Sequence, residues 1–407
     1  MARKFNIPIF YKSSVIGTIK EFRKTHDHRK QDLTPSILDL GKVKFKIARH
    51  FGFCYGVENA IEIAYKALEE NPDKRVFLLS EMIHNPNVNN DLLSRGIKFL
   101  MSTKGEQLID FSELNPDDIV IVPAFGTTVE LFEKLEKIGI DPFVYNATCP
   151  FVERVWKRAA KLGKEGYTIV IHGKHDHEET RATFSHSTLD GASIIVRDIE
   201  QAKILADYIN GKNNIDNFFN DFKNLTSKDF DPKKDLEKIG VVNQTTMLAS
   251  ETQEITNLLK EAIIKKYSDD NLKGHFADTR DTLCYATSEN QGSVKALVKS
   301  GGDLAIVVGG YNSSNTSHLV ELCEEEIPTF YIKDSDEIIS DSEIKHLSLK
   351  NNEVMTSINW LPKDKDLNIL ISAGASCPDA LVDNVINKVA SLFNLDDKID
   401  SALESFK

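Results

Sequence analysis

The chain alternates short apolar runs with longer segments in which apolar residues recur every three or four positions. The runs that predict buried strands are VKFKIA, RVFLLS, DIVIVPAFG, YTIVIHGK, ASIIVRD, KIGVVNQ, DLAIVVGG, IPTFYIK and LNILISAGAS. Helical spacing is found in VENAIEIAYKALEE, TTVELFEKLEKIG, FVERVWKRAAKLGKE and PDALVDNVINKVASLF. This alternation predicts an α/β protein with parallel sheets and crossover helices. Such sheets place ligands beyond the carboxyl ends of their strands.

Polar residues directly follow four of the predicted strands. They are HGKHDH at 172–177, NQTT at 243–246, GGYNSSN at 309–315 and AGAS at 373–376. Because parallel strands end at the same edge of a sheet, these segments are candidates for one binding site.

Three cysteines share one local context, at the point where a predicted strand ends and a predicted helix begins. Cys54 lies in HFGFCYGVENAI, Cys149 in NATCPFVERVW and Cys284 in TLCYATSENQ. A helix start favours an anionic thiolate, so each sequence is suited to presenting a ligand. The repetition predicts three similar α/β units that each deliver one thiolate to a common point. Gly52 and Gly56 flank Cys54, and we expect them to leave room for a bulky group there.

The remaining cysteines, Cys323 in LVELCEEE and Cys377 before Pro378, are predicted to be structural. An odd number of widely spaced cysteines does not indicate a disulfide framework and favours a reducing compartment. The three thiolates alone leave three interpretations open: zinc with a histidine as fourth ligand, an iron-sulfur cluster with one unprotected iron, or unrelated core cysteines.

Length and charge narrow the classes of function. A chain of 407 residues is expected to form two or three domains. The net charge of -12 argues against nucleic-acid binding, which requires a basic surface. No apolar run approaches the length of a membrane span, and the basic N-terminal stretch lacks the apolar core of a secretion signal, so we expect a cytoplasmic protein.

The order of the predicted strands and helices predicts how the chain divides into domains. The predicted parts are a basic extension over 1–42, α/β domains over 43–148, 149–283 and 284–393, and a polar tail over 394–407. The strand within 43–54 is also a candidate member of the third domain. Residues 210–238, rich in Asn, Asp and Lys, are predicted to be a surface insertion with one short helix.

Taken in order, several motifs resemble one enzyme family. They are HFGFCYGVENAI, HNPNVN, NATCPFVERVW, HGKHDHEETRATFSH, NQTTML, TLCYATSENQ, GGYNSSNTSHL and SAGASCPDALVDNVI. Their order, spacing and content resemble hydroxymethylbutenyl diphosphate reductases, the terminal enzymes of the non-mevalonate isoprenoid pathway. The resemblance covers the chain from about Lys44 to Lys388. The sequence AFG at 124–126 and the motifs at 172 and 243 are similar to the longer, plant and cyanobacterial type.

The resemblance implies a trefoil of three similar α/β domains around a central [4Fe-4S] cluster held by Cys54, Cys149 and Cys284. It implies that the alkoxide of an allylic diphosphate binds the open iron and that two electrons and protons remove the hydroxyl group. Ferredoxin or flavodoxin would supply the electrons. The products would be isopentenyl and dimethylallyl diphosphate, with no nucleic-acid or membrane partner.

The resemblance also implies roles for individual residues. Glu179 is the candidate proton donor for the leaving oxygen, with Thr245 as the relay to the substrate. The candidates for diphosphate binding are His84, His177, Thr246, Ser313, Ser314, Asn315 and Ser376. Structural alternatives remain for some of them: Glu179 as a solvated carboxylate at a helix start, His84 as a turn residue, and the SSN run as a helix cap.

One position departs from the shorter bacterial members, which carry a histidine where this chain has Phe125. Phenylalanine cannot donate a hydrogen bond to a phosphate, so no binding role is assigned to it. Thr127, Thr128, Lys174 and His175 are candidates to replace the missing phosphate donor.

The alternative function for the protein is that of a non-enzymatic iron-sulfur or zinc-binding electron-transfer protein. That function would give Glu179 and the threonines no role.

Overall fold

The computed structural model describes residues 6–29, 31–277 and 282–407. Within them the strands are β1 Ser36–Asp39, β2 Val43–Ile47, β3 Val76–Leu78, β4 Lys98–Phe99, β5 Ile119–Ile121, β6 Thr168–His172, β7 Ser193–Val196, β8 Ile239–Asn243, β9 Phe276–Ala277, β10 Leu304–Val308, β11 Thr329–Ile332, β12 Glu343–Ser348, β13 Glu353–Ile358 and β14 Leu367–Ala373.

The helices in these residues are α1 Val15–His26, α2 Tyr55–Glu70, α3 Pro86–Ser94, α4 Val129–Ile138, α5 Pro150–Lys164, α6 Glu178–Ser187, α7 Ile199–Ile209, α8 Phe218–Asp221, α9 Pro232–Asp235, α10 Ala249–Tyr267, α11 Leu272–His275, α12 Tyr285–Lys299, α13 Ser314–Glu324, α14 Asp379–Leu392 and α15 Ile399–Leu403. None of these helices is both long enough and apolar enough to span a bilayer.

The chain divides into two compact units. Unit 1 comprises Met1–Glu58, Ile83–Asn90 and Tyr285–Lys407, and unit 2 comprises Asn59–Met82 and Asp91–Cys284. Unit 1 contains a five-stranded sheet in the order β1-β2-β14-β10-β11, which is parallel except for the β1–β2 pair. It also contains the antiparallel pair β12–β13, which the strand predictions missed.

Unit 2 contains two parallel sheets, in the orders β4-β3-β5 and β7-β6-β8-β9. Strands β6 and β8 in this unit, and β10 in unit 1, are buried along their whole length. This burial explains their continuous apolar runs, because helices cover both faces of a parallel sheet. The mixed α/β class with mainly parallel sheets is therefore confirmed, and every predicted strand is present.

Much of the predicted N-terminal extension belongs to unit 1 as ordered structure. Strand β1 forms the antiparallel edge of the five-stranded sheet, paired with β2 through the turn at Gly41. Helix α1 buries Ile16 and Ile19 and begins against α14. The carboxylate of Asp383 on α14, 6% exposed, accepts hydrogen bonds from the backbone N–H groups of Val15 (3.1 Å) and Ile16 (2.9 Å). A side chain distant in sequence thus caps this helix.

Replacing Asp383 should weaken the packing of α1 and so lower the stability of the protein. We expect Asp383→Ala to lower the free energy of unfolding by about 1–3 kcal/mol, because two helix-start N–H groups lose a buried acceptor. Thermal unfolding of the variant measures the loss. Asp400→Ala, which removes an exposed aspartate from α15, is the matched control and should change the midpoint little. Equal midpoints for the two variants would show that the cap contributes nothing.

The segment over 210–238 differs from the expected surface insertion with one short helix. It forms two short helices, α8 and α9, and its Phe218, Phe222, Phe230 and Leu236 are buried in the core around β6 and β8. The rings of Phe218 and Phe222 stack with their centroids 5.0 Å apart. Because the segment is mostly polar, its sequence did not predict these buried residues, which belong to the core of unit 2.

The C-terminal tail likewise has a buried face. Leu395, Ile399 and Leu403 are each 7% exposed. The ring of Phe406 meets that of Phe22 on α1 edge to face, with centroids 5.5 Å apart. The two ends of unit 1 therefore pack on each other.

Candidate active site

Two of the three predicted cysteine ligands lie in unit 2, each directly before a helix. Cys149 is the N-cap residue of α5, with Pro150 in the first turn, where a missing N–H costs nothing. Its backbone N–H donates to the carbonyl oxygen of Ala124, beyond the end of β5, at 2.9 Å. Cys284 precedes α12, and its N–H donates to the carbonyl oxygen of Thr245 at 3.2 Å. The first cysteine is thus tied to the end of β5 and the second to the loop after β8.

A reciprocal pair of side chains reinforces the position of Cys284. The N–H of Asn243 donates to the hydroxyl oxygen of Thr282 at 2.8 Å, and the N–H of Thr282 donates to the side-chain oxygen of Asn243 at 2.8 Å. Asn243 is the last residue of β8 and is 1% exposed. The segment that carries Cys284 is therefore fixed to a buried strand end.

The surroundings of Cys149 disfavour its anionic form in the free protein. Burial raises the pKa of the Cys149 thiol to about 11, and the nearby charges of Cys284 and Glu179 raise it further. The backbone N–H groups of Phe151 and Val152 at the start of α5 oppose this rise. The thiol of Cys284 and the carboxylate of Glu179 thus lie close enough to Cys149 to disfavour its thiolate. A cationic metal centre would offset this repulsion and displace the thiol proton.

Cys54 lies in unit 1, where its N–H donates to the carbonyl oxygen of Ala375 at 3.2 Å. The carbonyl oxygen of Cys54 accepts from the N–H of Glu58, one turn into α2. This cysteine therefore links the loop after β14 to a helix start. In the described residues all five cysteines are free, and Cys54, Cys149 and Cys284 are partly exposed while Cys323 and Cys377 are fully buried. Partly exposed thiols of this kind have the donor chemistry of iron-sulfur ligands.

The role expected for Gly52, to leave room for a bulky group, is wrong. Its φ of +78° requires glycine, and a Cβ added there would collide with the carboxylate of Asp379 and lie 3.0 Å from the ammonium of Lys20. Close packing within unit 1, rather than space for a ligand, therefore explains this glycine. The expectation for Gly56 stays a prediction.

Glu179 and Thr245 form a buried acid–hydroxyl pair in unit 2. Glu179 is 1% exposed and Thr245 is 4% exposed. One carboxylate oxygen accepts the Thr245 N–H at 2.5 Å, and the other accepts its hydroxyl at 2.9 Å. A carboxylic acid in this position can pass its proton to the threonine oxygen while that hydroxyl donates its own. The solvated-carboxylate alternative for Glu179 does not fit this burial.

His177 is the N-cap residue of α6, and its ring orientation fixes which nitrogen carries the proton. Its Nδ1 accepts the backbone N–H of Glu179 at 3.1 Å. In the neutral ring the proton must therefore lie on Nε2, which makes that nitrogen a donor. Phe125 meets the same ring edge to face, with centroids 5.7 Å apart. Phe125 thus orients His177 by packing and offers no donor of its own.

Gln244 connects the remaining polar groups of this region, a role that the sequence did not reveal. Its side-chain oxygen accepts the hydroxyl of Thr180 at 3.0 Å and the N–H of Lys174 at 3.3 Å. Its side-chain nitrogen donates to the hydroxyl oxygen of Thr246 at 2.7 Å. Because that oxygen already accepts a bond, the Thr246 hydroxyl proton is directed elsewhere. Only the adjacency of Gln244 to the two threonines could have signalled its importance.

In unit 1 the SSN run forms the start of α13. The hydroxyl oxygen of Ser313 caps the helix by accepting the N–H of Thr316 at 3.2 Å. Ser314 and Asn315 are each 4% exposed, yet the hydroxyl of Ser314 and the side-chain nitrogen of Asn315 have no hydrogen-bond partner among the described residues. Unsatisfied buried donors at a helix N-terminus indicate an anion site. The helix-cap alternative therefore fits Ser313 but not its two neighbours.

Two more predicted residues of unit 1 contact each other. His84 is 5% exposed, and its carbonyl oxygen accepts the hydroxyl of Ser376 at 3.1 Å. The hydroxyl of Ser376 thus offers a ligand its oxygen rather than its proton in this conformation. Gly310, after β10, approaches the same carbonyl so closely that a Cβ would collide with it. This glycine lets the loop before α13 reach His84.

Each unit therefore brings together its own share of the predicted residues. Unit 2 holds Cys149, Cys284, Glu179, Thr245, His177 and Thr246, and unit 1 holds Cys54, His84, Ser313, Ser314, Asn315 and Ser376. Of the candidates to compensate for Phe125, Thr128 is the N-cap residue of α4 and the carbonyl oxygen of Thr127 contacts His186. The geometry favours neither as a phosphate donor.

Comparison with known proteins finds relatives that match most of the chain. Residues 45–390 match the family model described as LytB protein. A 4-hydroxy-3-methylbut-2-enyl diphosphate reductase of Prochlorococcus marinus (strain NATL1A) is 38% identical over 384 residues, which cover 94% of this chain and 90% of the relative. The enzyme of the same name from Thermosynechococcus vestitus is 40% identical over 353 residues, which cover 86% and 85%.

Two solved structures are also similar. One is an (E)-4-hydroxy-3-methyl-but-2-enyl diphosphate reductase described as the terminal enzyme of the non-mevalonate pathway, 27% identical with a TM-score of 0.51, covering 85% of this chain and 99% of that one. The other, the E-1-hydroxy-2-methyl-but-2-enyl-4-diphosphate reductase of Plasmodium falciparum, is 21% identical with a TM-score of 0.62, covering 86% and 87%. The second likeness concerns the fold alone.

Proposed function

Because the chain belongs to the LytB protein family, we propose that it is an oxidoreductase that converts (E)-4-hydroxy-3-methylbut-2-enyl diphosphate into isopentenyl and dimethylallyl diphosphate. The reaction breaks the bond between carbon and the hydroxyl oxygen. It consumes two electrons and two protons and releases one water. The observation that carries the proposal is the buried Glu179–Thr245 pair. The carbonyl oxygen of the same threonine accepts a hydrogen bond from the N–H of Cys284.

Cys54, Cys149 and Cys284 would hold a [4Fe-4S] cluster. When bound, the cluster would supply electrons and a Lewis-acidic iron for the oxygen that leaves. The partly exposed thiols and the negative groups around Cys149 support this assignment. The three ligands are the basis for proposing the trefoil arrangement and the three domain ranges given above.

The start of α13 would bind the diphosphate. Ser314 and Asn315 would donate from the buried groups that lack protein partners, and the helix N-terminus would favour the negative charge. His177 would donate from Nε2 and Thr246 from its hydroxyl. Ser313, His84 and Ser376 would complete the set, with Ser376 rotating away from the His84 carbonyl to donate.

Glu179 would supply the proton that the leaving oxygen needs. Its carboxylic acid would protonate the Thr245 oxygen while the Thr245 hydroxyl donates to the substrate oxygen, so that one proton moves along the pair. The burial of both residues excludes water from this route, which keeps the proton transfer directed. A second proton is needed at carbon, and no residue is assigned to that step.

The electrons would come one at a time from ferredoxin or flavodoxin. A reducing compartment such as the cytoplasm is consistent with five free cysteines among the described residues. No nucleic acid or membrane partner is proposed.

The hydroxyl of Ser314, which has no hydrogen-bond partner among the described residues, leads to a prediction that distinguishes substrate binding from stability. We expect Ser314→Ala to raise the KM for the diphosphate by about tenfold while leaving the unfolding temperature unchanged or slightly higher, because the free protein loses an unsatisfied buried group. Steady-state kinetics and thermal unfolding measure the two effects. Ser317→Ala removes a hydroxyl that already donates to the Ser313 carbonyl, so it is the control and should not raise KM. A lower unfolding temperature with unchanged KM for Ser314→Ala would refute the assignment.

Anaerobic preparation tests the function as a whole. The protein should be brown, contain iron and labile sulfide, and consume the allylic diphosphate with a strong one-electron donor. A colourless protein after cluster reconstitution would exclude the proposal.

A further inference from the structure

In unit 2 the loop over 124–128, between β5 and α4, is held by two aromatic side chains that have no part in the reaction as proposed above. The indole of Trp156 on α5 and the imidazole of His186 on α6 stack with their centroids 3.8 Å apart and their planes 13° apart. The Nε2 atom of His186 donates to the carbonyl oxygen of Thr127 at 3.1 Å. Because a carbonyl oxygen can only accept, Nε2 carries a proton, and the imidazole is bonded to the loop backbone.

Trp156 fixes the same loop at a second point. A Cβ added at Gly126 would lie 2.5 Å from two atoms of the indole, so the ring packs directly on the loop backbone. The indole N–H donates to the hydroxyl oxygen of Thr183 at 3.2 Å, and Thr183 is fully buried on α6. The Trp156–His186 pair is therefore a clamp on the loop, anchored on two helices.

The clamped loop also carries Phe125, which connects it to the residues proposed to bind the diphosphate. The ring of Phe125 meets that of His177 edge to face, and Nε2 of His177 is the atom that would donate to the diphosphate. A donor whose direction is fixed before binding gives a higher affinity, because ordering a mobile side chain on binding opposes association. The clamp can thus act on the diphosphate without touching it.

We propose that Trp156 and His186 are positioning residues for diphosphate binding, which hold the loop so that Phe125 fixes the ring of His177. The inference rests on the proposed function, which assigns the diphosphate to His177. The clamp should affect affinity for the diphosphate rather than the chemical step, because the proton is delivered by the separate Glu179–Thr245 pair.

Substitution of His186 tests the clamp by binding. The probe is inorganic diphosphate, titrated calorimetrically into the cluster-loaded enzyme under anaerobic conditions. We expect His186→Ala to weaken binding about fivefold, because the freed loop no longer fixes His177. His186→Gln, which places an amide N–H near the position of Nε2, should restore most of the affinity.

A second stacked histidine of unit 2 provides the matched control. The ring of His275 on α11 stacks on that of Tyr267 with centroids 3.6 Å apart, and its Nδ1 contacts the carbonyl oxygen of Glu237 at 2.7 Å. His275→Ala therefore loses the same kinds of contact as His186→Ala, but away from the loop. It should bind inorganic diphosphate like the unsubstituted enzyme.

A double substitution shows whether His186 acts through Phe125. Phe125→Ala should weaken binding by a similar factor, and His186→Ala added to it should weaken binding little further, because both changes release the same ring of His177. In turnover driven by reduced methyl viologen, His186→Ala should raise the KM for the allylic diphosphate by the same factor and keep kcat.

Three results would overturn the positioning role: unchanged diphosphate affinity in His186→Ala, equal weakening by His275→Ala, or independent effects that multiply in the double variant. A fall in kcat with unchanged KM would overturn it as well. Failure of the unsubstituted enzyme to bind inorganic diphosphate and to turn over the allylic diphosphate would instead refute the proposed function.

Discussion

Cys54→Ser, Cys149→Ser and Cys284→Ser should each abolish the iron-sulfur centre, and with it all turnover. A serine hydroxyl is a much poorer iron ligand than a thiolate. Among the described cysteines, these three are partly exposed and the other two are buried, so no other partly exposed thiol is there to replace them. Anaerobic reconstitution followed by iron and sulfide analysis should give about four iron atoms per unsubstituted chain and close to none per variant.

The two buried cysteines provide the control for this series. Cys323→Ser and Cys377→Ser replace thiols that are fully buried, and burial raises the pKa of the Cys323 thiol to about 12, which suits a protonated core residue. Both variants should keep the full iron content, although a polar oxygen in the core will lower their stability. Loss of the centre in Cys323→Ser with retention in Cys149→Ser would show that the ligand set is wrong.

Glu179→Gln should retain the centre and lose turnover by about 10²-fold to 10⁴-fold, the usual contribution of a positioned general acid. The amide keeps the size of the side chain and can still accept from Thr245, but it has no acidic proton for the leaving oxygen. Anaerobic kinetics with reduced viologen, together with the visible spectrum of the variant, measure both parts of the expectation.

A second glutamate in unit 2 makes a similar hydrogen bond but is exposed, so it serves as a control for the loss of a carboxylate at a helix start. Glu130 lies in the first turn of α4 and accepts the hydroxyl of Ser185 at 2.9 Å, as Glu179 in the first turn of α6 accepts that of Thr245. Glu130→Gln should leave kcat close to that of the unsubstituted enzyme. If Glu179→Gln were equally active, the proton would have to come from another group.

The sequence predicted the long strands of the three mainly parallel sheets, because strands such as β6, β8 and β10 are buried on both faces and require unbroken apolar runs. It did not predict the short strands β1, β4 and β9 at the sheet edges. It did not predict the β12–β13 hairpin, which faces solvent over much of its length and lacks such a run. The 210–238 segment is mostly exposed, as predicted, but its buried phenylalanines, which anchor it to the core, were not predicted.

Distant contacts explain most of what the sequence concealed around the site. No local pattern reveals that Asp383 caps α1, that Gln244 orders Thr180 and Thr246, or that Asp379 lies against Gly52. The choice among structural and functional interpretations of the SSN run also needed the structure. Capping by Ser313 is visible from sequence, whereas the unsatisfied donors of Ser314 and Asn315 are a property of packing.

Product identification after anaerobic turnover tests the central claim most directly. The cluster-loaded enzyme, incubated with (E)-4-hydroxy-3-methylbut-2-enyl diphosphate and reduced methyl viologen, should yield isopentenyl and dimethylallyl diphosphate, with two electrons consumed per molecule of product. Recovery of the unchanged alcohol from a preparation with an intact iron-sulfur spectrum would contradict the account.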